Sequence, residues 1–184
     1  MNNVSIITLN GHTPQIHPSA FIAPGCRIIG DVDIGPEASI WYNCVLRGDV
    51  NAIRIGARSN IQDGTVIHCD SDKGGMPGTK TIIEEGALIG HMAMLHGCTI
   101  GSNALVGLGS IVMDGCVVES NSIIAAGAVL TAGTHVPAGS IFAGIPAKKI
   151  KDISPELTKG EVERIATNYV MYASWFEAPA PENP

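Results

Sequence analysis

Residues 100–142, IGSNALVGLGSIVMDGCVVESNSIIAAGAVLTAGTHVPAGSIF, carry a bulky apolar residue at every sixth position: Ile100, Val106, Val112, Val118, Ile124, Leu130, Val136 and Phe142. A six-residue period fits neither the turn of an α-helix, roughly 3.6 residues, nor the two-residue alternation of a strand. It fits a triangular coil whose every side holds one short strand and one turn, with the sixth residue pointing inward. Upstream the same period runs through Ile16, Ile22, Ile28, Ile34, Ile40 and Leu46. After three extra residues it resumes at Ile55, Ile61 and Ile67, and after a longer interruption at Ile83, Ile89 and Leu95. One residue is then missing before Ile100.

The position four after each anchor is usually small: Cys26, Ala38, Cys44, Ser59, Thr65, Ala87, Ala93, Ala104, Ser110, Cys116, Ser122, Ala128, Thr134 and Ser140. Stacked coils with this pattern bury a continuous aliphatic column, which accounts for a chain that is 45% hydrophobic yet only 4% aromatic. The expected architecture is all-β, a parallel β-helix of hexapeptide repeats over residues 1–150. Residues 70–80 (DSDKGGMPGTK) form a Gly/Pro-rich loop that protrudes from it. Residues 151–184 hold a C-terminal helix from Ser154 to Phe176 and a disordered tail, APAPENP. Ser154 is placed to cap that helix and Pro155 suits its first turn; Val162, Ile165, Ala166, Tyr169, Ala173 and Phe176 give it an apolar stripe to lay along the β-helix.

The net charge of −6 and the absence of any basic run exclude a nucleic-acid footprint. The first residues lack the basic and apolar regions of a secretory signal, and no apolar stretch reaches a membrane span, so the expectation is a cytoplasmic protein without membrane contact. The five cysteines form no C-x-x-C pair and their number is odd, which favours neither a disulfide framework nor a zinc knuckle. Four of them read as small buried residues; Cys69, beside His68, reads either as a redox-sensitive neighbour or as inert packing.

Three hexads make one coil, so register places side chains in space. If Ile34, Ile40 and Leu46 begin sides one, two and three, Arg47, His68 and His96 each directly follow an anchor of side three. They then form one column, spaced roughly 4.8 Å from coil to coil. Asp63 and His91 form another column, two residues after anchors of side two, with Gln62 beside Asp63. The cluster of Arg, Gln, Asp and three His gathers along one edge of the middle coils. Zinc bound by imidazole needs rings that converge on one point. Stacked His68 and His96 can supply two, whereas His91 lies on another side and would reach the same ion from a neighbouring prism. His12, His17 and His135 stand alone and read as surface residues with local hydrogen bonds.

The segments RGDVNAIRIGARSNIQDGTVIH (47–68) and GHMAMLHGCTIG (90–101) resemble the core of the gamma-class carbonic anhydrases, and the resemblance extends from about Ile16 to Ile150. It implies a left-handed coil and a homotrimer with metal sites between subunits, His68 and His96 from one chain and His91 from its neighbour. The metal it implies is zinc, with iron(II) or cobalt(II) as alternatives, since imidazole suits several first-row ions. The implied activity is that of a lyase, the reversible hydration of carbon dioxide to bicarbonate by a metal-bound hydroxide. By the same resemblance Gln62 orients that hydroxide, Asn60 lies near the site, Asp63 lies beside Arg47, and Tyr169 reaches the pocket. Arg47 and Asp49 correspond to residues that make salt bridges across the trimer interface.

This chain departs from the best-known active pattern at Val50, where that pattern has a glutamate, and in the loop, where only Asp70 and Asp72 are acidic. A missing proton shuttle predicts slower turnover. Rival readings on the same scaffold are a coenzyme A thioester hydrolase, a hexapeptide acyltransferase that uses one histidine as general base, and a trimer in which the metal is only a structural staple.

Overall fold

A computed structural model describes residues 3–157, 162 and 164–177. They form a parallel β-solenoid whose three faces are strand ladders, with helical segments at the C-terminal end. On face one, Ile16, Ile34, Ile55, Ile83, Ile100, Val118 and Val136 stack in register. Face two stacks Ile22, Ile40, Ile61, Ile89, Val106, Ile124 and Phe142. Face three stacks Ile28, Leu46, Ile67, Leu95, Val112 and Leu130, with Ile6 one coil earlier. Every anchor from Ile28 to Val136 is buried, so the six-residue period and its register hold throughout.

The corners explain the rest of the repeat. The residue three after most anchors turns the chain with a positive φ, as at Gly64 (69°), Gly109 (64°) and Gly127 (68°); Asn43, Asn103 and Asn121 do the same, and even Glu37, Arg58 and Met92. Asparagine tolerates this region better than other side-chain-bearing residues. The small residue that follows lies inside the corner, where a larger side chain would not fit. At most corners where it carries a hydroxyl or thiol, that group donates to a corner carbonyl of the next coil; Thr134 donates to Thr131 O of its own turn instead, and Ser140 Oγ has no partner among the described residues. Ser59 Oγ reaches Glu84 O at 2.7 Å, Thr65 Oγ1 reaches Gly90 O at 3.1 Å, and Cys44 Sγ reaches Gln62 O at 3.2 Å. Buried carbonyls that the ladders leave over thus find donors. All five cysteines are free and buried.

The three irregularities of the repeat fall at a single corner, the one between faces three and one. The extra residues after Arg47 bulge out of the long strand Val45–Ile55, which runs around that corner and shifts register against Arg27–Ile34 between Gly30 and Val32. One coil on, residues 69–80 leave from the same corner, tied to the bulge by Asn51 Nδ2 donating to Asp70 O at 3.2 Å. The shortened hexad after Leu95 turns there at Gly97.

Two helical segments follow the solenoid: α1 (Pro155–Leu157), where Ser154 Oγ accepts from Leu157 N at 3.3 Å, and α2 (Arg164–Glu177). Residues 158–161 and 163 of the expected helix, and the tail 178–184, lie outside the described residues. Helix α2 lies on face two: Tyr169 packs edge-on against Trp41 at 5.3 Å between ring centres, and Phe176 meets Trp41 at 5.7 Å and Phe21 at 5.8 Å. Val162 and Ala173 are buried, while Phe176, at the end of the expected stripe, keeps about half its surface exposed (53%). Among the described residues no helix is long and apolar enough to cross a membrane.

Candidate metal centre

His68 and His96 are directly paired across neighbouring strands of face three. Their rings are 4.9 Å apart, and His68 Nδ1 faces His96 Nε2 at 2.9 Å. The other nitrogen of each ring is engaged by a carboxylate. His68 Nε2 lies 2.8 Å from Asp49 Oδ1, and His96 Nδ1 contacts Asp114 Oδ1. An ionised carboxylate only accepts, so each of those outer nitrogens carries its ring's proton. When both rings are neutral, the facing nitrogens present lone pairs to one another, an arrangement that a shared cation relieves. Two nitrogens bound to one tetrahedral zinc stand about 3.3 Å apart, close to the spacing here. The pair with its two carboxylates has the chemistry of a divalent-metal half-site, in which second-sphere carboxylates fix tautomer and ring orientation.

Asp49 reaches His68 because the bulge after Gly48 swings it off face three, and Arg47 makes an ion pair with it in the same chain. Burial works to raise the Asp49 carboxyl, but hydrogen bonds from His68 and Arg47 and the charge of Arg47 bring it below its ordinary value. It therefore stays ionised and able to accept.

His91 stands elsewhere, at the corner that follows face two, where Asp63 Oδ2 lies 2.9 Å from its Nδ1. The single clustered edge expected from the register is two groups: Arg47, Asp49, His68, His96 and Asp114 on face three, and Asn60, Gln62, Asp63, His91 and Tyr169 along face two. Within one chain Asp63 partners His91 and not Arg47, because the two are carried by different faces. Among the described residues no three ligand-type side chains of one chain converge on a point able to hold an ion.

In the second group, Gln62 Nε2 donates to Asn60 Oδ1 at 3.0 Å, which leaves Gln62 Oε1 available to accept. Asn60 is fully buried and its Nδ2 has no protein partner. Gln62, His91 and Tyr169 line one end of a cavity of about 430 Å³ between face two and α2, whose walls include Leu88, Leu105, Leu108 and Ile123. Burial, with the nearby Asp63 charge and Tyr172, pushes the Tyr169 phenol up to about 12. Tyr169 is therefore a hydrogen-bond donor at any physiological pH.

Asp70 is held below the usual carboxylate range by its hydrogen bond from Lys73, 2.7 Å away. Val50 is half exposed beside the Arg47–Asp49 pair. Cys69 is buried, and that burial raises its thiol above the ordinary value, which favours packing over redox chemistry for the neighbour of His68. His17 and His135 make the local contacts expected of them, with Ser19 Oγ and Glu119 Oε1, both at 2.8 Å. The residue that sequence reasoning missed is Asp114. Its signal is present, two residues after the anchor Val112 and at the corner where every irregularity of the repeat occurs.

The pattern of the bacterial transferase hexapeptide family (six repeats) matches residues 13–48 and 97–132. A solved structure of a hexapeptide transferase family protein from Anaplasma phagocytophilum is 43% identical, with a TM-score of 0.86, covering 96% of this chain and 99% of its own. The gamma carbonic anhydrase 1 of Arabidopsis thaliana mitochondria is 39% identical over 92% of this chain, which spans 60% of that protein's length. The carbonic anhydrase of Geobacillus kaustophilus (strain HTA426) is 46% identical over 173 residues, 94% of this chain and 91% of its own. Identity at that level, along both chains nearly end to end, means that this chain belongs to the gamma carbonic anhydrase family.

Proposed function

We propose that this protein is a carbonic anhydrase-like lyase that interconverts carbon dioxide and bicarbonate, working as a homotrimer of left-handed coils in the cytoplasm. The observation that supports it is the facing pair of imidazole nitrogens, His68 Nδ1 and His96 Nε2 at 2.9 Å, each ring braced from behind by a carboxylate. Two ligands on one face and a third histidine on another are what a site shared between subunits requires, with His91 of one chain completing the pair of its neighbour. A divalent ion held there, zinc or alternatively iron(II) or cobalt(II), supplies the Lewis acidity that makes water a nucleophile near neutral pH.

The chain's own residues do the rest. Asp49, Asp63 and Asp114 each hold one histidine ring, and Arg47 keeps Asp49 ionised and aimed. Gln62 Oε1 accepts a hydrogen bond from the attacking water and so orients it, while Asn60 Oδ1 accepts from Gln62 Nε2 and fixes the amide. Tyr169 closes the pocket with a phenol that can donate but not act as base. Proton exit is the weak point. Val50 offers no titratable group, and the low Asp70 carboxyl is a poor carrier near neutral pH.

A second reading, hydrolysis of a coenzyme A thioester at the same centre, is favoured by the cavity of about 430 Å³ beside His91, which exceeds what carbon dioxide needs. Metal content, solution mass and stopped-flow hydration of carbon dioxide test the first reading on wild type and His91→Ala. A metal-loaded trimer whose hydration and metal both vanish in the variant supports it. A metal-loaded trimer without hydration moves the assignment to the thioester, and a metal-free monomer overturns both.

A further inference from the structure

We infer that Asp114 is the positioning residue of His96: it holds the imidazole proton on Nδ1 and so turns Nε2 toward His68 as a metal-ready lone pair. The assignment rests on the metal reading for its purpose, but its geometry belongs to this chain alone. Asp114 lies one coil beyond His96 at the corner of faces three and one, and its Oδ1 contacts His96 Nδ1 directly.

Two features of the backbone make that contact possible. At Gly97, where φ is +51°, a Cβ would stand 2.6 Å from Asp114 Oδ1 and 3.2 Å from Asp70 Cβ. Any side chain at position 97 would push the carboxylate off the ring. The turn that carries Asp114 is also pinned to the His96 coil, because Gly115 N donates to Gly97 O at 2.7 Å. The glycine after His96 and the aspartate after Met113 are thus parts of one device. The competing role, an ion pair with the loop, is taken by another carboxylate, since Lys73 Nζ binds Asp70 Oδ1 at 2.7 Å.

A carboxylate behind a ligating imidazole fixes its tautomer and raises its basicity, and loss of such a group lowers metal affinity ten- to hundredfold. The test uses the full chain with Asp114→Ala and Asp114→Asn, checked by solution mass and circular dichroism. Nitrogen-15 spectra of the histidines, recorded without metal, read the tautomer directly. His96 should carry its proton on Nδ1 in wild type and shift toward Nε2 in Asp114→Ala. Zinc competition against a chelator should show ten- to hundredfold weaker binding in Asp114→Ala. Asp114→Asn, which keeps an accepting oxygen, should fall between, with an altered visible spectrum of the cobalt form. An unchanged His96 tautomer, or zinc affinity within twofold of wild type in both variants, overturns the assignment. A wild type that binds neither zinc nor cobalt overturns the metal reading instead, and the metal-free spectra still decide the role of Asp114.

Discussion

Asp63 Oδ2 lies 2.9 Å from His91 Nδ1 on a face of the solenoid that the His68–His96 pair does not share. The carboxylate accepts the ring proton and leaves Nε2 as the nitrogen with which His91 can ligate. Since His68 and His96 belong to face three, a site that uses all three must draw on two chains.

That division predicts complementation. His68→Ala and His91→Ala should each be inactive alone and bind metal poorly. Coexpressed, they should assemble mixed trimers in which about one interface in four pairs an intact His68–His96 face with an intact His91. Metal and hydration activity should return to roughly that fraction of wild type. If the mixture stays as inactive as either parent, the histidines do not meet across subunits.

The fold was legible because the triangular coil makes sequence period and stacking register the same quantity. Ile34, Ile55 and Ile83 had to stack once the inserted residues were placed at a corner. The His68–His96 pairing followed from that register. What register cannot show is where a corner side chain turns. Within one chain Asp63 sits beside His91 and not Arg47 because the two columns flank different corners. Asp114 was missed because its role depends on the missing Cβ of Gly97 and on a turn pinned one coil away. The third ligand's position relative to the pair depends on how separate chains assemble, a geometry that a one-chain period does not carry.

The corners predict a contrast between two glycines of similar surroundings in sequence. At Gly107 an added Cβ would stand 2.4 Å from Ala126 N, against the backbone of the next coil, whereas at Gly127, with φ +68°, nothing lies within 4 Å. Gly127→Ala should cost only the strain of a left-handed backbone, about 1 kcal/mol. Gly107→Ala should force coils apart and cost about 3 kcal/mol or more, on the scale of overpacking. Denaturant midpoints of the two variants decide it, and equal losses would mean that coil spacing yields more easily than the ladders imply.

Val50 predicts a gain of function. It is half exposed next to Asp49, so glutamate is tolerated there and would place a titratable carboxylate at the mouth of the site. If proton exit limits turnover, Val50→Glu should raise kcat for hydration by roughly three- to tenfold and leave kcat/KM almost unchanged. Added imidazole buffer should rescue wild type more than the variant. A variant with unchanged kcat and the same buffer response would place the slow step elsewhere.

Arg54 predicts how acid weakens the solenoid away from the metal centre. Its guanidinium spans two carboxylates of the neighbouring strand, Asp31 Oδ1 at 2.8 Å and Asp33 Oδ2 at 2.9 Å. Its hydrogen bond and charge hold the Asp31 carboxyl below the ordinary value, against the opposing effect of burial. The sign follows from linkage: a carboxyl depressed in the folded state adds stability above its unfolded value, about 3.9, and loses it as pH falls through the lower folded value. Because these side chains remain about one-third or more exposed, the increment is small, about 0.5–1 kcal/mol. Arg54→Met, compared with wild type in metal-free protein, should therefore be less stable by that amount near neutral pH. The gap should begin to close as the medium is taken below about pH 3.9 and vanish once pH has passed the lower folded value of Asp31. A gap that persists at the acid end would mean that Arg54 stabilises through the packing of its stem or its bonds to the Asp31 and Ile53 carbonyls, not through the charge of Asp31.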